Sequence, residues 1–146
     1  MVSSELHERV GELLRLDGQR YTSARRQLVD VLGGTTFPLT IPEITGRGQA
    51  LAQSSTYRNL VVLERAGAVQ KVVATDEWYR YELAEELTDR HHHHLICAAC
   101  GTVQDVEVPA ALERRLDEQL AEVATAAGFQ LEHHRLDLVG RCTSCA

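Results

Sequence analysis

The chain has 146 residues, of which 44% are hydrophobic, 25% are charged and only 5% are aromatic. This composition fits one globular domain or two small ones in series, with a largely aliphatic core. No apolar run reaches the roughly 20 residues of a membrane-spanning helix, and Met1 to Glu12 lacks the basic-then-apolar order of a signal peptide. We therefore expect a cytoplasmic protein with no membrane partner. In the cytoplasm, paired cysteines more often hold metal than form disulfides.

Charge is spread unevenly along the chain. The formal net charge is −6, yet residues 18–71 carry seven Lys and Arg against three Asp and Glu. Residues 76–146 carry six basic against fourteen acidic residues. This asymmetry predicts two modules with different partners, the first of them basic enough to face nucleic acid.

Residues 4–83 carry the order of elements of a winged helix-turn-helix. Apolar spacing, Ser and Thr caps, and Gly or Pro at the ends predict four helices: Ser4–Leu16, Ser23–Leu32, Ile41–Ala50 and Gln53–Ala66. The runs Val69–Ala74 and Trp78–Leu83 then predict a β-hairpin. The fourth helix is the expected recognition helix, with Leu60, Val61 and Leu63 facing the core.

The rest of the chain is predicted to form a second, α/β module. Residues 84–90 are polar and acidic, and we interpret them as a hinge between residues 1–83 and residues 91–146. Strands are predicted over three segments: His91–Cys97, Thr102–Val108 and Phe129–Gly140. Between the last two, an apolar stripe predicts a helix that ends at Gly128. The predicted fold class is therefore α+β.

All four cysteines lie in two C-x-x-C pairs: Cys97, Cys100, Cys142 and Cys145. Each C-x-x-C turn places two thiolates about as far apart as a tetrahedral Zn²⁺ requires, and two such turns complete the ligand set. The alternatives are free thiols or a redox disulfide. A closed site of four cysteines leaves no position for a substrate, so the predicted role of this zinc is structural.

Six of the seven histidines lie in two places, His91–His94 and His133–His134. If the first run is a strand, its side chains alternate between two faces. His91 and His93 then point to one face and His92 and His94 to the other. Two separate metal sites are predicted, each completed by further nitrogen or oxygen ligands because the thiols are already used.

Three segments resemble the ferric uptake regulator family of metal-dependent repressors: Gly18–Arg25 (GQRYTSAR), Ser55–Leu60 (STYRNL) and His91–Gly101 (HHHHLICAACG). The resemblance covers nearly the whole chain in order. It implies a homodimer in which the N-terminal winged helix binds DNA and the C-terminal module is the dimerisation domain.

The resemblance also implies how the metal ligands are divided. By position, a sensor site near the hinge would use Glu82, His92 and His94. A second metal site would use four side chains: His91, His93, Glu113 and His134. His133 replaces His134 if the register shifts by one residue.

The chain departs from the family pattern at three positions near the sensor site. Where relatives carry a loop histidine, an acidic residue on the wing or a cysteine before the histidines, this chain has Pro38, Gln70 and Ala84. A fourth sensor ligand is therefore open, the alternatives being water or one of four side chains: His7, Glu85, Glu86 and Asp89. The sensed metal also stays open among Zn²⁺, Fe²⁺, Mn²⁺ and Ni²⁺, as does iron-based peroxide sensing.

The DNA contacts are predicted from the start of the recognition helix. Thr56, Tyr57 and Arg58 lie where a winged helix presents side chains to the major groove. Arg20 and Arg25 are expected to neutralise phosphates. The predicted function is a metal-responsive repressor of a palindromic double-stranded operator, with no small-molecule substrate. The rivals are a metal-storage or chaperone protein and, with less support, a zinc hydrolase, although H-E-x-x-H is absent from the sequence.

Overall fold

The computed structural model describes residues 2–47 and 51–146. Its twelve elements are, in chain order, α1 (Ser4–Leu16), α2 (Ser23–Gly33), β1 (Leu39–Thr40), α3 (Ile41–Arg47), α4 (Gln53–Arg65), β2 (Val69–Val73), β3 (Tyr79–Leu83), α5 (Glu85–Thr88), β4 (His93–Cys97), β5 (Val103–Val106), α6 (Ala110–Ala126) and β6 (Asp137–Gly140). The predicted end of the third helix at Ala50 lies outside the described residues. None of the described helices is long and apolar enough to cross a membrane.

Helices α1 to α4 and a three-stranded sheet form the winged helix. The side chains of Ser3 and Thr22 cap α1 and α2 by accepting hydrogen bonds from backbone N–H groups three residues later. The sheet has the order β1-β3-β2, with β1 and β2 antiparallel to β3. On α4, Leu60 and Leu63 are buried as expected, but Val61 is 42% exposed. The prediction for Val61 was wrong, because Val61 lies to one side of the stripe that Thr56, Leu60 and Leu63 bury.

The segment interpreted as a hinge contains a helix. Ala84 and Leu87 are buried, and Leu87 belongs to the hydrophobic core of the winged helix. Arg9 of α1 donates hydrogen bonds to the backbone carbonyls of Glu86 and, at 3.3 Å, of Leu87. Helix α5 is therefore part of the winged-helix module, and a linker without regular structure is confined to the few residues after it. The domain boundaries otherwise stay a prediction.

The second module is a three-stranded sheet with α6 outside it. β4 lies in the centre, antiparallel to β5 and parallel to β6. The last strand is much shorter than the predicted Phe129–Gly140, because its pairing with β4 begins only where Asp137 meets His94. No residue of α6, which is described throughout, is buried.

The wing packs on this second sheet. Val72 and Ala74 of the wing form a small apolar cluster with Ile96 and Val103. Beyond it, the Thr75 hydroxyl donates to the carbonyl of Cys97 at 3.3 Å. The wing thus rests beside the cysteine knuckle, and β3 is brought next to the histidines that precede and begin β4.

Candidate metal centres and nucleic-acid interface

The four cysteines converge on one point. The four Sγ atoms all lie within 4.8 Å of one another, and none of the four cysteines forms a disulfide. Cys97 is held at the end of β4, and the other pair arrives after β6, which pairs with β4 in parallel. The sheet therefore brings the C-terminal tail back to the first knuckle, as the spacing predicted.

The backbone favours the thiolate form at this cluster. N–H groups of Cys142 and Cys100 lower the pKa of Cys97 to about 6, and the Cys142 N–H lies 3.4 Å from the Cys97 sulfur. Thiolate is the form that binds zinc. Four convergent sulfur atoms, one of them already biased toward the anion, fit a tetrahedral zinc ion.

The second cluster joins the two modules. Glu82 extends from β3 of the wing toward the histidines of the second sheet, with one carboxylate oxygen 3.1 Å from Nε2 of His92 and the other 2.9 Å from Nε2 of His94. All three residues are buried. Gln70, opposite Glu82 in the β2–β3 pairing, donates its amide N–H to the same carboxylate.

Asp105 completes this cluster, and the sequence-based search for a fourth ligand missed it. Its carboxylate oxygens lie 3.7 Å from His92 and 3.8 Å from His94. The strand pairing explains the position, since Asp105 on β5 stands opposite His94 on β4. The available signal was an aspartate two residues after Val103, on the same face of a short strand. His7 lies elsewhere, hydrogen-bonded to Tyr21 and Asp30.

Charge in this cluster is strongly perturbed. Burial raises the pKa of Glu82, but hydrogen bonds from His92 and His94 outweigh it and lower the pKa to about 2. The hydrogen bond to Glu82 in turn raises the pKa of His92 to about 9. Burial and the neighbouring Glu82 charge raise the pKa of Asp105. Two carboxylates and two imidazoles thus meet in a site that disfavours the ionised form of Asp105.

An unpaired oxygen shows that this donor set suits a cation. Oδ1 of Asp105 is buried and has no hydrogen-bond partner among the described residues, although buried polar atoms are nearly always paired. A divalent ion would satisfy this oxygen and offset the repulsion between Asp105 and Glu82. Two imidazole nitrogens and two carboxylates are the ligands that Zn²⁺, Fe²⁺, Ni²⁺ or Mn²⁺ accept.

The third cluster lies on the other side of the histidine run. His91, His93, Glu113 and His134 offer ligand atoms within 4.8 Å of one another. Glu113, in the first turn of α6, contacts the Nε2 atoms of all three histidines, at 3.2 Å for His91 and 3.0 Å for His134. His133 is exposed and outside the cluster. The two faces predicted for the histidine run are thus kept, although His91 and His92 precede β4.

The loop before α3 does not contribute a metal ligand. Phe37 lines a cavity of about 290 Å³ that also reaches Glu82, His92 and Asp105. Pro38, assigned from sequence to the ligand position of relatives, is buried and does not line this cavity. Neither side chain can bind a metal ion. The ligand candidate from the winged-helix module is therefore Glu82 on β3.

The predicted DNA-binding residues differ in accessibility. Arg20 and Arg58 are exposed, and Tyr57 is 52% exposed. Thr56 is fully buried, because it lies on the inner side of α4, so its side chain does not reach the surface and we drop it from the predicted contacts. Arg25 donates to the Asn59 side chain at 2.9 Å and to the Arg20 carbonyl at 2.6 Å. It therefore ties α2 to α4 beside the surface that would face DNA.

A winged helix with a basic surface, joined to three clusters of metal-binding side chains, is the architecture of a metal-dependent DNA-binding regulator. Comparison with known proteins supports this class. The ferric uptake regulator family matches residues 17–139. The peroxide operon regulator of Bacillus subtilis (strain 168) is 29% identical over 150 residues, covering 100% of this chain and 97% of the relative. The ferric uptake regulation protein of Campylobacter jejuni is 31% identical over 147 residues, covering 96% of this chain and 88% of the relative.

A solved structure agrees with the fold. The Helicobacter pylori ferric uptake regulator, whose structure is described as revealing three functional metal binding sites, superposes with a TM-score of 0.73 at 25% identity. The match covers 96% of this chain and 91% of that one. The chain belongs to the ferric uptake regulator family. It is a metal-responsive transcriptional regulator and not an enzyme, and its cysteine cluster is a structural zinc site.

Proposed function

We propose that this regulator is a repressor that binds a palindromic operator as a homodimer when a divalent metal is bound by Glu82, His92, His94 and Asp105. The observation that carries the proposal is that this cluster takes one ligand candidate from the wing and three from the second module. A site divided in this way links metal binding to the orientation of the winged helix.

The residues themselves explain why the metal matters. Glu82 is held by histidine N–H groups, and Asp105 has a buried oxygen without a partner among the described residues. A bound divalent ion supplies the positive charge that allows both carboxylates to stay close together. Without the ion, Asp105 repels Glu82, and this repulsion weakens the packing of the wing against the second sheet. The bias toward the closed arrangement equals the difference in metal affinity between the two arrangements.

The dimer would form through the second module. Its exposed apolar side chains are spread over α6 and the sheet edge: Leu112, Val123, Phe129, Leu138 and Val139. Since α6 buries none of its residues within one chain, a second copy would supply the missing half of the core. The regulator would act in the cytoplasm, where its DNA target lies and its thiols stay reduced.

DNA contact is proposed for four residues. Tyr57 and Arg58, exposed near the start of α4, would read base edges in the major groove. Arg20 and Arg25 would contact phosphates, which gives salt-dependent affinity with little sequence information.

The test is operator binding by the dimer with its cysteine zinc retained and other metal removed by a mild chelator. Zn²⁺, Fe²⁺, Mn²⁺ and Ni²⁺ are then added separately, and the operator affinity is measured by fluorescence anisotropy. We expect at least one metal to raise the affinity, His92→Ala to abolish this response, and His133→Ala, an exposed histidine outside the clusters, to retain it. Affinity unchanged by all four metals would exclude the proposal, as would a full response in His92→Ala.

A further inference from the structure

Helix α5, in the segment interpreted from sequence as a hinge, holds Glu85 against the DNA-binding module. Leu87 is 6% exposed and packs into the winged-helix core. Arg9 of α1 binds two consecutive backbone carbonyls of α5 and also lies 3.5 Å from the Asp89 carboxylate. The first residue of this helix, Glu85, therefore moves with the winged helix.

The Glu85 carboxylate reaches two metal clusters at once. Its Oε2 lies 2.9 Å from Nδ1 of His91, and its Oε1 accepts the backbone N–H of His92 at 3.2 Å. His91 belongs to the cluster with Glu113, and His92 to the cluster with Glu82. Glu85 itself is in neither, because it faces the nitrogen of each ring that points away from the cluster.

This contact fixes which nitrogen of His91 is available to a metal. A carboxylate can only accept here, so Nδ1 of His91 carries the proton and donates it. Nε2 is then the ring atom left for a metal, which would replace any proton that Nε2 shares with Glu113, 3.2 Å away, or with His134, 3.3 Å away. A carboxylate behind a metal-binding imidazole orients the ring and makes it a stronger ligand.

We infer that Glu85 is a positioning residue that presets His91 as a ligand of the His91–His93–Glu113–His134 site and ties that site to the DNA-binding module. Metal in this site then restrains α5, and through Leu87 the winged helix, in addition to the restraint through Glu82. The first half of the inference concerns metal affinity alone, and the effect on DNA rests on the proposed function.

Glu85→Gln and Glu86→Gln form a matched pair for the test. They make the same chemical change on neighbouring residues of α5, and Glu86 is exposed. Since the backbone N–H of His92 needs an acceptor, the amide introduced by Glu85→Gln would keep its oxygen there and turn its NH₂ group toward Nδ1 of His91. Donation from this NH₂ group would move the ring proton to Nε2, the atom that must bind metal. Both changes are made in the folded dimer with the cysteine zinc retained and His92→Ala in place, so that the second site is titrated alone.

The first readout is the Zn²⁺ affinity, measured by competition with a chromophoric chelator. We expect Glu85→Gln to weaken binding about 10–100-fold, and Glu86→Gln to change it by no more than about twofold. In a His91→Ala background, Glu85→Gln should weaken binding no further, because its effect passes through His91. Equal affinities in the two variants would overturn the inference, and so would a full loss that persists without His91.

The second readout is which nitrogen of the neutral His91 ring carries the proton, followed by ¹⁵N NMR at a pH where the ring has lost its second proton, with the cysteine zinc retained and no metal in the histidine sites. Wild type should show the proton on Nδ1 and Glu85→Gln should show it on Nε2, whereas a general loss of structure would not exchange one form for the other. An unchanged ring in Glu85→Gln would overturn the inference. Neither readout uses DNA, so a failed operator response leaves both results interpretable.

In otherwise wild-type protein with excess metal, Glu85→Gln should lower operator affinity about fivefold or more, while Glu86→Gln leaves it unchanged. Loss of metal affinity with no change on DNA would overturn the link to the DNA-binding module and leave the role at His91 intact.

Discussion

Replacing Asp105 with Asn should change stability and metal binding in opposite directions. The pKa of Asp105 is raised by its burial and by the Glu82 charge, so the surroundings disfavour its ionised form. Its Oδ1 has no hydrogen-bond partner among the described residues. Asn keeps the shape of the side chain and removes the charge, which relieves the metal-free protein. The same change removes a charged oxygen ligand from the metal-bound protein.

The expected size follows from these two facts. An unsatisfied buried polar group costs about 1–3 kcal/mol and more when it is charged, and Asp105→Asn removes the part that the charge adds. The neighbouring histidines at 3.7 and 3.8 Å offset part of this cost. Asp105→Asn should therefore raise the free energy of unfolding of the metal-free protein by about 1–2 kcal/mol, or Tm by about 2–6 °C. Regulatory metal affinity should fall at least about 10-fold, the lower end of what a supporting residue is worth.

The assay is thermal unfolding, with the cysteine zinc retained and with or without added regulatory metal. Asp89→Asn is the matched control, because Asp89 is exposed and its change should stay within about 0.5 kcal/mol. The sign is tested again by pH. Since the pKa of Asp105 is raised, the contribution of this group to stability falls as pH rises through the acid range, so the stability of Asp105→Asn relative to wild type should increase over that range. A variant that is less stable without metal, or that binds metal as tightly as wild type, would refute the reasoning.

Three further substitutions test other parts of the structure. Gly101→Ala should cost more stability than Gly128→Ala by about 1–3 kcal/mol. Both glycines have positive φ, but only the Cβ added at position 101 would collide with the carboxylate of Asp76. In thermal unfolding, Asp76→Ala should remove the difference between the two variants. Leu87→Ala should cost about 2–5 kcal/mol and speed amide exchange in α5, so an unperturbed α5 would contradict its anchoring in the core. Thr56→Val should be neutral or stabilising by up to about 1 kcal/mol, because the buried hydroxyl has no partner among the described residues; a weakened operator affinity in that folded variant would restore Thr56 as a DNA contact.

Most of the fold could be predicted because its signals are local. Helical spacing and glycine stops placed α1, α2 and α4 within about two residues. The Thr22 cap marked the start of α2, whereas α4 begins after Ala52 without the side-chain cap expected for it. Alternation along an extended chain divided the histidines between two faces before any partner was known. The zinc knuckles followed from the cysteine spacing alone.

The errors arose where distant contacts decide the outcome. Asp105 is a ligand candidate only because β5 pairs with β4 in a particular register, and nothing near Asp105 in the sequence reports that register. Helix α5 is short and acidic, so its pattern was that of a hinge, yet Leu87 is fixed by the core it enters. Thr56 was assigned from its place in the recognition helix, but the rotation of α4 about its axis turns it inward.

The three clusters share one segment, and this bears on how the regulator can respond. Residues 91–100 supply ligand candidates to every cluster, so a metal ion in any of them stabilises the start of the second sheet. Stabilising that sheet alone does not move the winged helix. The response must come from ligands that belong to the DNA-binding module, because only these make metal affinity depend on how the modules are arranged. Glu82 is the proposed ligand of this kind in one site, and Glu85 is its proposed counterpart behind the other. The cysteine site draws its remaining ligands from the C-terminal tail and has no donor from the winged helix. It is therefore the site expected to maintain the structure while the two histidine sites regulate it.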